Sequence, residues 1–164
     1  MADHVLAHGL PVATLRPLAA AAGTSDRMLI YRYGSKEALV ARLAEILADR
    51  LTVLLDAAPA PATDVPEAFA ANMAARLTHA AVAPYRAVWL ELVAIAARGN
   101  PAAEAAVARI LTHFAGWINQ HLPPGTPFPD ATAARILAMI EGAVILSTAG
   151  AKGQTLILHA FNTP

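Results

Sequence analysis

The clearest pattern along the chain is a run of leucine and isoleucine residues between 35 and 57. They recur at intervals of three and four residues, and the charged residues fall mainly elsewhere on the helical wheel. The apolar set is Leu39, Leu43, Ile46, Leu47, Leu51 and Leu54. Ser35 is a suitable N-cap, and Glu37 places a carboxylate in the first turn. The pattern therefore predicts a long amphipathic helix over 35–57.

Two proline-rich stretches, 58–66 and 123–129, separate the helical blocks, because proline cannot continue a helix. A short apolar segment at 5–7 opens the chain, and 154–161 fits a strand as well as a helix. Elsewhere the apolar spacing predicts helices over 14–22, 26–33, 66–81, 84–98, 101–121 and 130–147. The predicted fold class is all-α.

The helix predicted over 130–147 is apolar on almost every side. Such a helix is normally buried on two sides, here by its own domain and by a second subunit. We therefore predict a homodimer with a four-helix interface formed by 101–121 and 130–147. This interface is expected to cover Ile136, Ile140 and Val144, since these would otherwise form an exposed apolar patch. A membrane span over 136–151 is the alternative, but this stretch is short and carries Glu141. We expect no membrane contact.

Composition agrees with a helical globular protein. Of the 164 residues, 57% are apolar and 15% are charged, which excludes a disordered chain. Alanine is abundant and aromatic residues make up only 5%, which favours closely packed helices. The absence of cysteine excludes disulfides, thiolate zinc sites and cysteine nucleophiles. Without cysteine and without a secretory signal pattern, the protein is expected in the cytoplasm.

Charge is balanced overall but not along the chain. The net charge is zero, with 12 basic and 12 acidic residues, which argues against a globally basic nucleic-acid coat. Between 14 and 36, however, Asp26 is opposed by four cations, Arg16, Arg27, Arg32 and Lys36. This local positive patch is typical of a nucleic-acid contact.

The same segment has the spacing of a helix-turn-helix, LRPLAAAAGTSDRMLIYRYG over 15–34. Ala19 is small where two helices cross, Gly23 supplies a left-handed turn, and Leu29 anchors the second helix in the core. Thr14 and Ser25 suit the caps of the two helices. The spacing alone fits an ordinary helical hairpin equally well, since Ala-x-x-x-Gly is frequent in an alanine-rich chain.

The residues that follow favour the first interpretation. GTSDRMLIYRYGSKEALV, residues 23–40, resembles the end of the DNA-binding domain of TetR-family transcriptional regulators. The resemblance extends over about 5–48, and beyond it only the number and length of the helices suit the family. It implies a helix-turn-helix DNA-binding domain of three helices, 1–48, and a helical effector-binding and dimerisation domain, 49–164.

The resemblance further implies that a recognition helix over 25–32 lies in the major groove, with Lys36 on a phosphate. The implied DNA contacts are Thr14, Thr24, Ser25, Asp26, Arg27, Met28, Tyr31, Arg32 and Lys36. Three departures from the family are visible. Ile30 replaces a usual tyrosine, Tyr33 replaces a usual phenylalanine, and the first helix is apparently truncated because it begins only a few residues before Gly9.

The second domain offers fewer signals. Aromatic and histidine residues are the candidate effector pocket, namely His79, Tyr85, Trp89, His113 and Trp117. A packing role fits both tryptophans at least as well. Only His4 and His8 have HxxxH spacing, and a metal site needs more ligands than these two, so no metal site is expected. No nucleophile elbow, carboxylate pair or phosphate loop occurs, so neither an enzyme nor a cofactor is expected.

These observations together predict a ligand-responsive transcriptional regulator, a repressor that binds double-stranded operator DNA as a homodimer. A small hydrophobic or aromatic effector is expected to enter the second domain and displace the helix over 35–57. That displacement would change the separation of the two recognition helices and release the operator. The alternative is an interaction module or small-molecule carrier with the same fold that does not bind DNA.

Overall fold

The computed structural model describes residues 1–59, 61 and 63–161, and all regular structure in this part of the chain is helical. Short 3-10 turns at Ala80–Val82 and Ser147–Ala149 join some of the α-helices. The α-helices are α1 (Ala2–His8), α2 (Leu15–Ala21), α3 (Asp26–Tyr33), α4 (Lys36–Ala57), α5 (Pro66–Thr78), α6 (Ala83–Ala96), α7 (Pro101–His121), α8 (Pro129–Leu146) and α9 (Gly150–Phe161). The all-α prediction is confirmed.

The segment that fitted a strand or a helix, 154–161, lies within α9. Gly153 and Ile157, four residues apart, are its buried positions, so one helical face turns inward. A side chain at Gly153 would collide with the main-chain oxygen of Leu146 at the end of α8. Only glycine allows the two helices to approach this closely.

The chain forms two compact units, and neither is one continuous segment. The first consists of Met1–Leu55 and Pro84–Leu111, and the second of Asp56–Ala83 and the chain from Thr112 onward. The boundary between a DNA-binding domain, 1–48, and an effector-binding domain, 49–164, is a functional division and stays a prediction.

The first unit is built around fully buried aliphatic side chains, with Val5, Leu18, Leu39 and Leu92 each at most 1% exposed. Burying a side chain of this size contributes about 1.5 to 3 kcal/mol. These four residues belong to α1, α2, α4 and α6, so the core joins the N-terminal helices to a helix much later in the sequence.

The second unit packs α5 against α8, and α9 against both. Ile136, Ile140 and Val144 of α8 are buried within this single chain, at 2%, 2% and 5% exposure. The expectation that a second subunit must cover these three side chains is therefore wrong. The periodicity predicted a buried face correctly. The face is buried by helices of the same chain and not by a second subunit.

One stretch, Pro129–Phe161, is long and apolar enough to cross a membrane by length and composition. That property is weak support for a span, because a core helix of a globular protein shares it. Here the stretch is interrupted by the 3-10 turn at Ser147–Ala149, and Gly150 follows with a φ of 59°. Two helices that pack on each other result, rather than one continuous rod.

Candidate nucleic-acid interface

A tight turn follows α2 and sets the direction of α3. Gly23 adopts a φ of 63°, in the left-handed region that favours glycine. The amide of Gly23 donates to the Ala20 oxygen at 3.2 Å, and the amide of Thr24 donates to the Ala19 oxygen at 3.0 Å. These two bonds form a Schellman motif, which satisfies the last carbonyls of α2. The left-handed turn predicted at Gly23 is therefore present.

Local contacts fix the start and the inner face of α3. The Ser25 hydroxyl accepts a hydrogen bond from the Met28 amide at 3.3 Å, as expected of an N-cap. Leu29 is the buried residue of this helix, at 3% exposure. One anchored position out of eight leaves most of the helix surface facing outward.

The outward surface is continuous from the turn into α3. Every residue from 20 to 28 is exposed, and so are 30, 31 and 32. Tyr31 is 84% exposed and Met28 52%, which is unusual for such large side chains. Thr14, just before α2, is also exposed, and its side chain makes no cap hydrogen bond. Of the predicted DNA contacts, all but Lys36 are therefore on the accessible surface, and Lys36 is half-buried.

The charges of this surface are uncompensated. Within the described residues, no carboxylate pairs with Arg16, Arg27, Arg32 or Lys36. Three other arginines of the first unit behave differently. Arg50 pairs with Asp3 at 2.6 Å, and Arg42 and Arg109 both pair with Glu45. Positive charge that lacks an internal partner is available to an external anion.

Such pairing changes the pKa of the Glu45 carboxyl. Burial acts to raise the pKa of this carboxyl, but hydrogen bonds from Arg109 and Arg42 outweigh burial and hold its pKa below 4.5. The Arg109 side chain reaches Glu45 from α7, at 2.7 Å from Nε to Oε1. The ion pair therefore holds α7 against α4, the helix that directly follows the candidate interface.

A second long-range contact, which was not predicted from the sequence, holds the loop between α1 and α2. The Leu10 amide donates to Glu91 Oε2 at 2.7 Å, across 81 residues of sequence. Gly9, with a φ of 79°, lies so close that a Cβ would be 2.8 Å from Glu91 Oε1. The only signal in the sequence was the single carboxylate of a largely apolar helix. Glu91 thus positions the helix-turn-helix and is not a candidate for contact with DNA.

The candidate effector residues are divided between the two units. Tyr85 and Trp89 are half-buried in the first unit, one helical turn apart on α6. His79 and His113 are exposed in the second unit, where the His79 ring nitrogen Nδ1 accepts from the Ala81 amide at 3.1 Å. Trp117, 8% exposed, also belongs to the second unit.

Trp117 is held by specific contacts of its own. Its indole N–H donates to Asp56 at 2.9 Å, and the His121 ring stacks on it with centroids 4.1 Å apart. These contacts favour the packing role that was considered for this residue. No group of three or more histidine or acidic residues converges as a metal site in the residues that the structure describes.

Comparison with known proteins bears directly on this surface. Residues 2–43 match the family model described as "Bacterial regulatory proteins, tetR family". The matched segment begins in α1, contains all of α2 and α3, and ends in the first half of α4. It therefore includes every residue of the candidate interface. No curated protein and no solved structure matches the chain.

Proposed function

We propose that this chain, whose residues 2–43 match the model of the tetR family of bacterial regulatory proteins, is a ligand-responsive repressor of that family. Members of that family are transcriptional regulators, and the match supports the same role for this chain. In this proposal the protein acts in the cytoplasm and binds double-stranded operator DNA as a homodimer. It releases the DNA when an effector binds.

One observation carries the proposal for DNA. The matched segment presents an exposed helix, α3, whose cations pair with no carboxylate among the described residues. Arg27, in the first turn of α3, suits a base edge, because a guanidinium can donate two parallel hydrogen bonds to guanine. Lys36, at the start of α4, suits a phosphate, because an ammonium acts as a point charge.

Two alanine variants test this assignment. Arg27→Ala should weaken operator binding by about 1 to 3 kcal/mol and relax selection at one base pair of each half-site. Lys36→Ala should weaken operator and random DNA alike and lower the salt slope by about one per site. Arg98→Ala is the matched control, since Arg98 is an exposed cation outside the helix-turn-helix.

The outcome separates the proposed function from its rival. If Lys36→Ala changed which bases are selected and Arg27→Ala did not, the proposed orientation of α3 in the groove would be wrong. Binding that is unaffected by both variants, as by Arg98→Ala, would favour the interaction module or carrier that does not bind DNA.

We propose the homodimer on residues other than those first expected. Only 28% of an apolar 18-residue stretch within Pro129–Phe161 is buried in a single chain. Ile145 of α8 and Leu156 and Leu158 of α9 are exposed by 50% or more. We propose that a second copy of the chain covers these side chains. A regulator that binds two palindromic half-sites needs two recognition helices, and a two-fold symmetric dimer provides them.

Sedimentation velocity at micromolar concentration tests the dimer. Wild type should sediment as a dimer and Ile145→Asp as a folded monomer. Val53→Asp places the same charge on another exposed aliphatic position, on α4, and should remain a dimer. A wild-type monomer would contradict the proposal, and association only with lipid vesicles would support a membrane contact instead.

An aromatic or hydrophobic effector is proposed to contact Tyr85 and Trp89. Support comes from their position, since both are half-buried on adjacent turns of α6. A thermal-shift screen of apolar compounds should give ligands whose stabilising effect is lost in Trp89→Ala. Ligands that stabilise both proteins equally would place the effector elsewhere.

A further inference from the structure

The first unit contains a cavity of about 160 Å³ that none of the predicted effector residues lines. Its apolar wall includes Val40 from α4 and Leu92 and Ile95 from α6. Its polar side includes Lys36 at the start of α4 and Asn100 immediately before α7. The cavity therefore combines a small hydrophobic surface with donor groups.

The polar side contains one cation and one amide donor. Lys36 is half-buried, and its ammonium has no ion-pair partner among the described residues. The Asn100 side-chain oxygen accepts from the Ala103 amide at 3.0 Å, so its amide nitrogen remains a donor. Glu37 also lines the cavity, but it is exposed to solvent, where its charge is screened.

We propose that this cavity binds a small monocarboxylate whose carboxylate pairs with Lys36 and whose compact apolar group packs on Leu92 and Ile95. A volume of about 150 Å³ accommodates one benzene ring, so the apolar group of the ligand is at most about the size of a phenyl ring. A second carboxylate on the ligand would find no second cation, because Lys36 is the only cation among the lining residues.

The consequence for regulation rests on the proposed function, in which Lys36 contacts a phosphate of the operator. A carboxylate paired with Lys36 competes with that phosphate for the same ammonium. The ligand therefore weakens DNA binding at the interface itself, without any movement of a second domain. The salt slope of DNA binding falls as well, by about one per site, because one counterion fewer is released for each lost contact.

Benzoate binding to the full chain, measured by calorimetry in the absence of DNA, tests the site. We expect a Kd on the order of 1 mM for wild type, appropriate to so small a ligand. Lys36→Gln should weaken binding by about tenfold or more, because a charge-assisted contact is lost. Arg98→Gln removes a cation two residues from Asn100 that does not line the cavity, and it should bind as wild type does.

Ligand analogues and a filled cavity complete the design. Benzyl alcohol keeps the ring without the charge and phthalate adds a second charge, so both should bind more weakly than benzoate. Ile95→Phe fills the apolar side and should abolish binding while its thermal unfolding stays cooperative. Equal affinity of wild type and Lys36→Gln, or no binding at about 10 mM benzoate, would overturn the proposal.

A parallel measurement with operator DNA keeps the two proposals distinguishable. Saturating benzoate should weaken DNA binding by wild type and leave DNA binding by Ile95→Phe unchanged. Benzoate binding through Lys36 in a chain that binds no DNA would refute the proposed function alone. DNA binding in a chain that binds no benzoate would refute this site alone.

Discussion

Removal of the Glu91 carboxylate should loosen the helix-turn-helix from α6. Glu91 accepts the Leu10 amide at 2.7 Å, and the Leu10 side chain is only 3% exposed, so water cannot easily replace the bond. A hydrogen bond to a charged group contributes about 1.5 to 3 kcal/mol. Glu91→Ala should therefore lower the free energy of unfolding by about 2 kcal/mol, or the Tm by about 4 to 8 °C. Glu91→Gln keeps an acceptor and should lose less.

A double-mutant cycle with Gly9 isolates this contact. Gly9→Ala strains a residue with a φ of 79° and places a Cβ 2.8 Å from Glu91 Oε1, which displaces the carboxylate. In the Glu91→Ala background only the backbone strain remains, about 1 to 2 kcal/mol. Urea unfolding of the four proteins should therefore give a coupling energy of about 1 to 2 kcal/mol. Effects that add to within about 0.5 kcal/mol would refute the reasoning.

Three further predictions concern the rest of the chain. Ile140→Ala, at a position 2% exposed, should cost about 2 to 5 kcal/mol in urea unfolding. Val53→Ala, at a position 67% exposed, should cost no more than about 0.5 kcal/mol, and equal losses would contradict the assigned burial. Phe128 is 82% exposed with a φ of 49°, so Phe128→Gly should raise the Tm relative to Phe128→Ala, which keeps a Cβ in the left-handed region. Burial acts to raise the pKa of Glu45, but the pairs with Arg109 and Arg42 hold that pKa below its ordinary value. Its contribution to stability is therefore present above that ordinary value and is lost as the pH falls through the folded-state pKa. Glu45→Gln should accordingly flatten the acid limb of a stability profile, and an unchanged limb would show that the pairs with Arg109 and Arg42 contribute little.

Features that depend on neighbouring residues could be predicted from the sequence. The helix-turn-helix is one of these, because the turn at Gly23, the cap at Ser25 and the anchor at Leu29 interact over a few residues. The periodicity likewise gave α7 its observed bounds and identified the buried positions of α8.

Long-range packing could not be predicted in the same way. Periodicity identifies Ile136 and Ile140 as buried but says nothing of what buries them, and a helix of the same chain does so. The Glu91 contact joins residues 81 positions apart, and a single carboxylate in an apolar helix does not indicate its partner. Lys36 was expected on the surface as a phosphate contact, and only the structure shows that it also lines a cavity.

Selection from a pool of random DNA duplexes tests the central claim most directly. If the exposed cations of the helix-turn-helix bind an operator, the full chain should enrich one two-fold symmetric sequence. Its half-sites should be separated by about one helical turn or a multiple of it, and affinity for that sequence should fall steeply with salt. Enrichment of no sequence, with equally weak binding to every duplex, would contradict the account.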